Sequence, residues 1–312
     1  MVQREVWQKF IIDFLFKDNS FINNSYKVSG DDILNGKVVH IPQAGAPSGV
    51  VVNPSSFPLA IQQRVDTDIV YLLNLYATLP THITDAEKKE VSYDKMASVL
   101  GANLEKLEEF IAESLLVQWL ESSSYTGSSN IPAAQVIRTT GDAAAAHLVG
   151  ATGNRKKFTK EELKKAKFIL NKQGITKQGR FALLSSDMLD QLMDDEDLKK
   201  RDSSMELDMK NGVITRLYGF DILERASTAV YTNAATPIVK QAGASASATD
   251  NDVAICWQKD AVEYARGTVD FYEDLKNPQY LGDIYNASIR MGGRKRRQDG
   301  KGIVSIVQDS AA

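Results

Sequence analysis

Apolar residues recur in steps of three and four at Tyr93, Met96, Ala97, Leu100, Leu104, Leu107, Ile111 and Leu115. That is the helical period, so they share one stripe. Asp94, Lys95, Glu105, Lys106, Glu108, Glu109 and Glu113 fall on the opposite, solvent-suited side. Just ahead, Thr84-Asp85-Ala86-Glu87 has the form of a capping box. No proline interrupts the run, and Gly101 is its weak point, costing about 1 kcal/mol against alanine. From Ser92 to Leu120 the rise of a helix gives a rod of roughly 40 Å. A lone rod with one apolar stripe needs a sheet or a second helix to lie on.

Before this spine, Val6, Trp7, Phe10, Ile11, Phe14 and Leu15 form the stripe of a short amphipathic helix that stops at Asp18-Asn19-Ser20. Such a helix can dock on its own core or on another copy. A strand over Lys37–Ile41 ends at Pro42. The segment Gln43–Pro58 is rich in Gly, Pro, Ser and Asn around Val50-Val51-Val52, and alternation from Ile69 to Ala77 predicts one long strand. Two extended limbs around such an excursion make a projecting β-hairpin. A two-stranded ribbon is marginal alone in water, so it needs a partner.

After the spine, Glu121–Ser129 reads as a flexible polar connector and a domain boundary. Phe158–Lys172 is a second amphipathic helix, with its own capping box at Thr159-Lys160-Glu161-Glu162 and Gly174 beyond its end. A strand at Arg180–Leu184 runs into a helix at Ser186–Met193. Asn211-Gly212 is a hairpin signal before a β-rich run from Val213 to Leu223. Thr232–Asn251 is a low-complexity loop, Val253–Trp257 a strand, and Asp260–Tyr264 a helical turn. In the tail, Tyr285, Ala287, Ile289 and Met291 share a strand face, Gly292–Gly302 is a charged turn, and Ile303–Val307 is expected to return as the second strand of a terminal hairpin. The chain thus leaves a sheet-on-helix layer, builds an α+β block, and comes back to it.

Composition narrows the function. The chain has 312 residues, 43% hydrophobic and 25% charged, with a net charge of −3. That length can bury a real core, and the near-neutral balance argues against a protein whose main task is gripping nucleic acid. Cys256 is alone, which excludes an intrachain disulfide and a multi-cysteine metal site. Arg4, Glu5, Lys9 and Asp13 break the apolar start, so it does not read as a signal peptide. No run approaches the ~20 apolar residues of a membrane span. The expectation is a soluble, intracellular product.

Candidate chemistry is sparse. His40, His82 and His147 are scattered, without metal-ligand spacing. The Gly150–Lys157 loop lacks the spacing of a phosphate loop. Asp194-Asp195-Glu196-Asp197 has no glycine-turned ligand loop after it and reads as a solvated acidic run. No nucleophile elbow and no Cys–His arrangement occurs. No catalytic residue, cofactor or metal site is expected. The sharpest charge feature is Arg290, Arg294, Lys295, Arg296, Arg297 and Lys301. It is either a solvated hairpin tip or a contact with acidic groups or phosphates. With no aromatic interleaving, single-strand stacking is not expected.

The order of arm, projecting hairpin, spine helix, inserted α+β block and terminal β-hairpin resembles the major capsid proteins of tailed bacteriophages, with their Hong Kong 97-type fold. Residues carrying the resemblance run along most of the chain. They are Gly36–Pro42, Ile83–Glu87 with Ser92-Tyr93-Asp94, Gly179–Leu184, Leu217–Ile222 and Ala261–Gly267. The resemblance implies an α+β capsid fold with an N-terminal arm (1–30), an extended loop (31–82), a peripheral domain carrying the spine (83–130 and 262–312) and an inserted axial domain (131–261). It implies a structural subunit that assembles with itself, as hexamers and pentamers, into an icosahedral shell around double-stranded DNA held by non-specific contact. Expected partners are a separate scaffolding protein, a portal and decoration proteins, with no membrane. The expected location is the virion, after assembly in the bacterial host cytoplasm. An encapsulin-type nanocompartment shell is the alternative.

Two departures from the family pattern shape the expectations. Some members carry a long acidic scaffold segment before the arm; here the short stretch before the first strand implies that scaffolding comes from another polypeptide. Some members cross-link through a lysine on the extended loop, yet residues 38–87 contain no lysine. The expected subunit-interface residues are Val6, Trp7, Phe10, Ile11 and Phe14 of the arm. At a junction where capsomers meet, the expectation is that Arg294, Lys295, Arg296 and Arg297 contact acidic groups of neighbours.

Overall fold

The computed structural model describes residues 19–28, 38–55, 57–59, 61–85, 94–121, 131–195, 198, 207–208 and 213–311. The spine is a helix over Asp94–Leu120. Thr84 ends a strand, Thr81–Thr84, and the Asp85 N–H donates to the Leu281 carbonyl at 3.0 Å; Ala86 and Glu87 of the expected capping box lie outside the described residues. Leu107, Ile111, Leu115, Leu116, Trp119 and Leu120 are buried in the larger core, and the helix lies against the Gly282–Lys295 strand. Glu108, expected on the wet side, is buried instead, in a cleft it shares with Asn19 and Arg225.

Beneath the spine is a five-stranded sheet. Its order is Tyr26–Lys27, Val262–Asn277, Gly282–Lys295 and Asn74–Ala77, with Thr81–Thr84 also paired to Gly282–Lys295. The expected helical turn at Asp260–Tyr264 is a short 3-10 turn, Lys259–Ala261, that gives way to the 16-residue strand Val262–Asn277. Val262 to Ala265 are buried on both faces, and the register shifts between Arg266 and Val269. Neither feature leaves the alternation that marks a half-buried strand. Tyr285, Ala287, Ile289 and Met291 do point into the core, as the pattern predicts.

The middle block builds a seven-stranded sheet in the order Arg216–Leu217, Phe220–Arg225, Arg180–Ser185, Asn251–Gln258, Ile303–Val307 and Val136–Arg138, with Val230–Tyr231 on Asn251–Gln258. Helices Lys160–Lys172 and Ser186–Met193 cover it through Leu163, Leu170, Met188 and Leu192. The capping box at Thr159 is formed: the Thr159 backbone N–H donates to Glu162 Oε2 at 2.8 Å. The strands flanking the Asn211-Gly212 signal, Leu207–Asp208 and Val213–Ile214, pair antiparallel; the turn itself lies outside the described residues. So do the Glu121–Ser129 connector beyond its first residue and Glu196-Asp197 of the acidic run.

The expected terminal hairpin does not form. Gly282–Lys295 pairs with Val262–Asn277 in one sheet, whereas Ile303–Val307 crosses to the other and lies between Asn251–Gln258 and Val136–Arg138. Every residue from Ile303 to Val307 is buried, which a two-layer interior can satisfy and an exposed return strand cannot.

Candidate assembly interface

The extended loop leaves the body as two paired strands, Val38–Gln43 and Thr67–Leu72. Pro42 lies inside the first of these; a two-stranded ribbon has open edges where a missing N–H is tolerated. The expected long strand from Ile69 to Ala77 is broken at Leu73, so its second half, Asn74–Ala77, joins the five-stranded sheet. Val39, Ile41, Ile69, Tyr71 and Leu73 form a small core at the root with Val28 and Ala265. Past the root the limbs are held by polar links: Gly45 N–H to Asp66 at 2.8 Å, and Gly49 N–H to Gln62 at 3.0 Å. Arg64 donates to both oxygens of Asp66, and that pairing, together with the Gly45 N–H, holds the Asp66 carboxyl down at about 2.

This loop is a surface in search of a cover. Val50 and Ile61 are 91% and 99% exposed, and Val51, Val52, Phe57, Leu59 and Val65 are also exposed. Polar groups tie the limbs to each other while the apolar ones face water, an arrangement suited to docking on another protein.

The basic cluster is arranged differently from the expected protruding tip. Arg294 and Lys295 are only 8% and 1% exposed. Arg294 Nη1 donates to the Val70 carbonyl at 2.6 Å, on the root of the extended loop. Burial, and then the charge of Arg294, push the Lys295 ammonium down to about 8. Arg296 Nε lies 3.1 Å from buried Glu263, and its guanidinium carbon lies over the Tyr26 ring, 4.1 Å from the centroid. Arg297 and Lys301 both reach Asp299, at 3.2 and 3.1 Å. Much of the cluster is therefore compensated within its own subunit. The arm stripe Val6, Trp7, Phe10, Ile11 and Phe14 lies outside the described residues.

Sequence reasoning missed a groove between the spine and the Asn74–Ala77 edge strand. It has a volume of about 430 Å³ and is lined by Leu75, Leu79, Lys106 and Phe110, with Leu75, Leu79 and Phe110 exposed. The signal was present, since Leu75 falls on the strand read over Ile69–Ala77 and Leu79 follows just beyond it, two apolar residues ahead of a helix with its own exposed Phe110.

Polar features inside the middle block have structural roles. Arg155, in the Gly150–Lys157 loop, is buried and donates to the carbonyls of Ala248 and Asp250. The Asp252 carboxylate, raised by burial, accepts from Ser185 and Thr228. Cys256 is buried in the sheet, which pushes its thiol up to about 12. Among the described residues no cluster of His, Cys, Asp or Glu could hold a metal ion, and no helix is long and apolar enough to cross a membrane.

Residues 114–307, more than half of the chain, match the phage capsid protein family. The chain is similar in fold to a structure from Mycobacterium phage Che8 (TM-score 0.61, 16% identity, covering 92% of this chain and 90% of that one). It is likewise similar to the capsid of cyanophage P-SCSP1u (0.62, 17%, 92% and 86%) and that of cyanophage Pam1 (0.64, 11%, 92% and 88%). No curated protein matches it in sequence. These likenesses agree with the α+β, Hong Kong 97-like fold and give the encapsulin-type alternative no support.

Proposed function

Because this chain belongs to the phage capsid protein family, and so is a structural subunit of a phage head shell, we propose that it closes that shell through its arm and its extended loop. The observation that carries this reading is the row of exposed apolar residues on the loop, Val50, Val51, Val52, Phe57 and Ile61. In a self-assembling subunit, the natural cover is another copy. We assign the arm stripe Val6, Trp7, Phe10, Ile11 and Phe14 the same task.

Arg297, half-exposed beside Asp299, and the outer face of Arg296 are the parts of the basic cluster positioned to reach a neighbour. Arg294 and Lys295 serve their own subunit. The proposed division is arm 1–30, extended loop 31–82, a peripheral layer of 83–130 and 262–302, and an axial block of 131–261 completed by the strand Ile303–Val307. Copies gather as hexamers and pentamers, with a separate scaffolding protein, a portal and decoration proteins as partners. Assembly takes place in the host cytoplasm, and double-stranded DNA fills the shell by non-specific contact. The near-neutral charge suits a wall that contains DNA without gripping it. The role is structural rather than catalytic.

The test is negative-stain microscopy of the full chain, expressed with and without a candidate scaffolding protein. Closed shells are expected. A chain that stays monomeric in both conditions at high concentration would refute the proposal.

A further inference from the structure

Three segments distant in sequence meet at Arg296. From the body, the Arg296 N–H donates to the Ala261 carbonyl at 2.8 Å, and its guanidinium pairs with Glu263 at 3.1 Å. From the N-terminal strand, the Tyr26 ring lies 4.1 Å beneath the guanidinium; Tyr26 is also the register partner of Glu263. From the extended loop, the Gln43 side-chain amide donates to the Arg296 carbonyl at 2.7 Å, at the point where the paired strands end. The neighbouring Arg294 adds its bond to Val70 on the opposite limb.

We propose that Arg296 is a positioning residue that fixes the direction in which the extended loop leaves the body and ties that direction to the N-terminal strand. The physical argument rests on what else holds the loop. The small core at the root, centred on Val39, Ile41, Ile69 and Tyr71, resists separation of the ribbon from the body, but apolar contact is non-directional. Direction comes from the hydrogen bonds at the Arg296 backbone and from its guanidinium, which is held between the Tyr26 ring and the Glu263 carboxylate. With Glu263 buried, that pair is weakly screened, and its geometry is correspondingly enforced. A loop whose tip lies far from its root magnifies a small rotation there, so Arg296 controls where the apolar tip points.

The experiment is amide hydrogen exchange on the unassembled full chain, which separates this proposal from any question of shell contacts. Arg296→Ala is expected to speed exchange by about tenfold or more in 26–28, 38–43 and 67–72, while amides of 253–257 and 303–307 keep their protection. Arg296→Lys, which keeps the charge and loses the guanidinium's broad contact with the Tyr26 ring, is expected to fall between the two. Gln43→Ala, which cuts only the link to the loop, is expected to speed exchange in 38–43 and 67–72 without affecting 26–28, and serves if Arg296→Ala does not fold. Unchanged exchange at the root in these variants, or a uniform rise across the whole chain, overturns the proposal.

Discussion

The indole N–H of Trp119 donates to the backbone carbonyl of Glu263 at 3.1 Å, joining the end of the spine helix to the sheet beneath it. The approach is close because Gly293 lies between them. A Cβ there would sit 2.7 Å from the Glu263 carbonyl oxygen, 2.7 Å from Leu115 and 3.2 Å from the indole nitrogen. Gly293→Ala is therefore expected to destabilise the subunit by about 1–3 kcal/mol through overpacking. Trp119→Phe, which keeps the ring packing and removes the indole N–H, is expected to cost about 0.5–1.5 kcal/mol, the net worth of one hydrogen bond. Denaturant unfolding of the two variants checks both values.

Lys295 gives a prediction with a definite sign. Its folded value of about 8 lies below the ordinary lysine value of 10.5, because burial and Arg294 disfavour the charge more than Asp299 restores it. Between those pH values the unfolded chain binds more protons than the folded one, so this residue makes stability rise with pH across that window. Below about pH 8 both states carry the charge, and the burial penalty is felt in full. Lys295→Met is expected to stabilise the subunit at pH 7 by about 1–3 kcal/mol and to flatten the rise between pH 8 and 10.5. Melting curves across that range decide it; a variant less stable than the parent at pH 7 contradicts the assignment.

The arm can be removed without touching the core only if the cut is placed correctly. Phe21 packs edge-on against Trp119 at 5.9 Å, and Trp257 donates to the Asn24 carbonyl at 3.0 Å. Deleting 1–18 should leave the melting temperature unchanged and suppress shell formation. Deleting 1–24 should unfold the subunit. Normal particles from the shorter deletion would show that Val6, Trp7, Phe10, Ile11 and Phe14 are not an assembly contact.

What the sequence reveals here follows from the range of each interaction. The helix Lys160–Lys172, with Thr159 and Glu162 closing its start, is legible because its signals lie within one turn. The Val262–Asn277 strand is not, because burial on both faces at its start, Val262 to Ala265, and a register shift after Arg266 erase its period. The run from Ile69 to Ala77 reads as one strand, since nothing local records that its halves pair with different partners. Arg294 to Arg297 look like a solvated tip for the same reason. Glu263, Tyr26, Gln43 and Val70, which neutralise or orient them, lie more than thirty to over two hundred and fifty residues away. A projecting hairpin, by contrast, is visible in composition alone, because its Gly/Pro-rich excursion cannot join a core.

Covalent linkage through the extended loop is not expected. Residues 38–87 contain no lysine to act as the nucleophile of an isopeptide bond. Denaturing gels of mature particles should show one band near 34.4 kDa, the mass of the chain. A ladder of covalent oligomers would contradict this.

The loop tip offers the sharpest separation of folding from assembly. Val50, Val52 and Ile61 are among the most exposed apolar side chains of the chain, so replacing them with serine removes almost nothing from the subunit's own core. Their unfolded and folded environments are both aqueous, and the melting temperature of Val50→Ser/Val52→Ser/Ile61→Ser should match the parent's. In an assembled shell the same side chains would be covered. Burying each is worth about 1.5–3 kcal/mol by area, before the loss of side-chain freedom, and the contact recurs at every subunit. Assembly is steep in the free energy per contact, so a loss of even half that sum should raise the protein concentration needed for shells by about a hundredfold or more. Polar links between the limbs, Gly45 to Asp66 and Gly49 to Gln62, are untouched, so the loop keeps its shape in the variant. Light scattering across a concentration series reads the threshold directly. Should shells form at the parent's concentration, the apolar tip is not an assembly contact, and the loop's exposed residues need another partner.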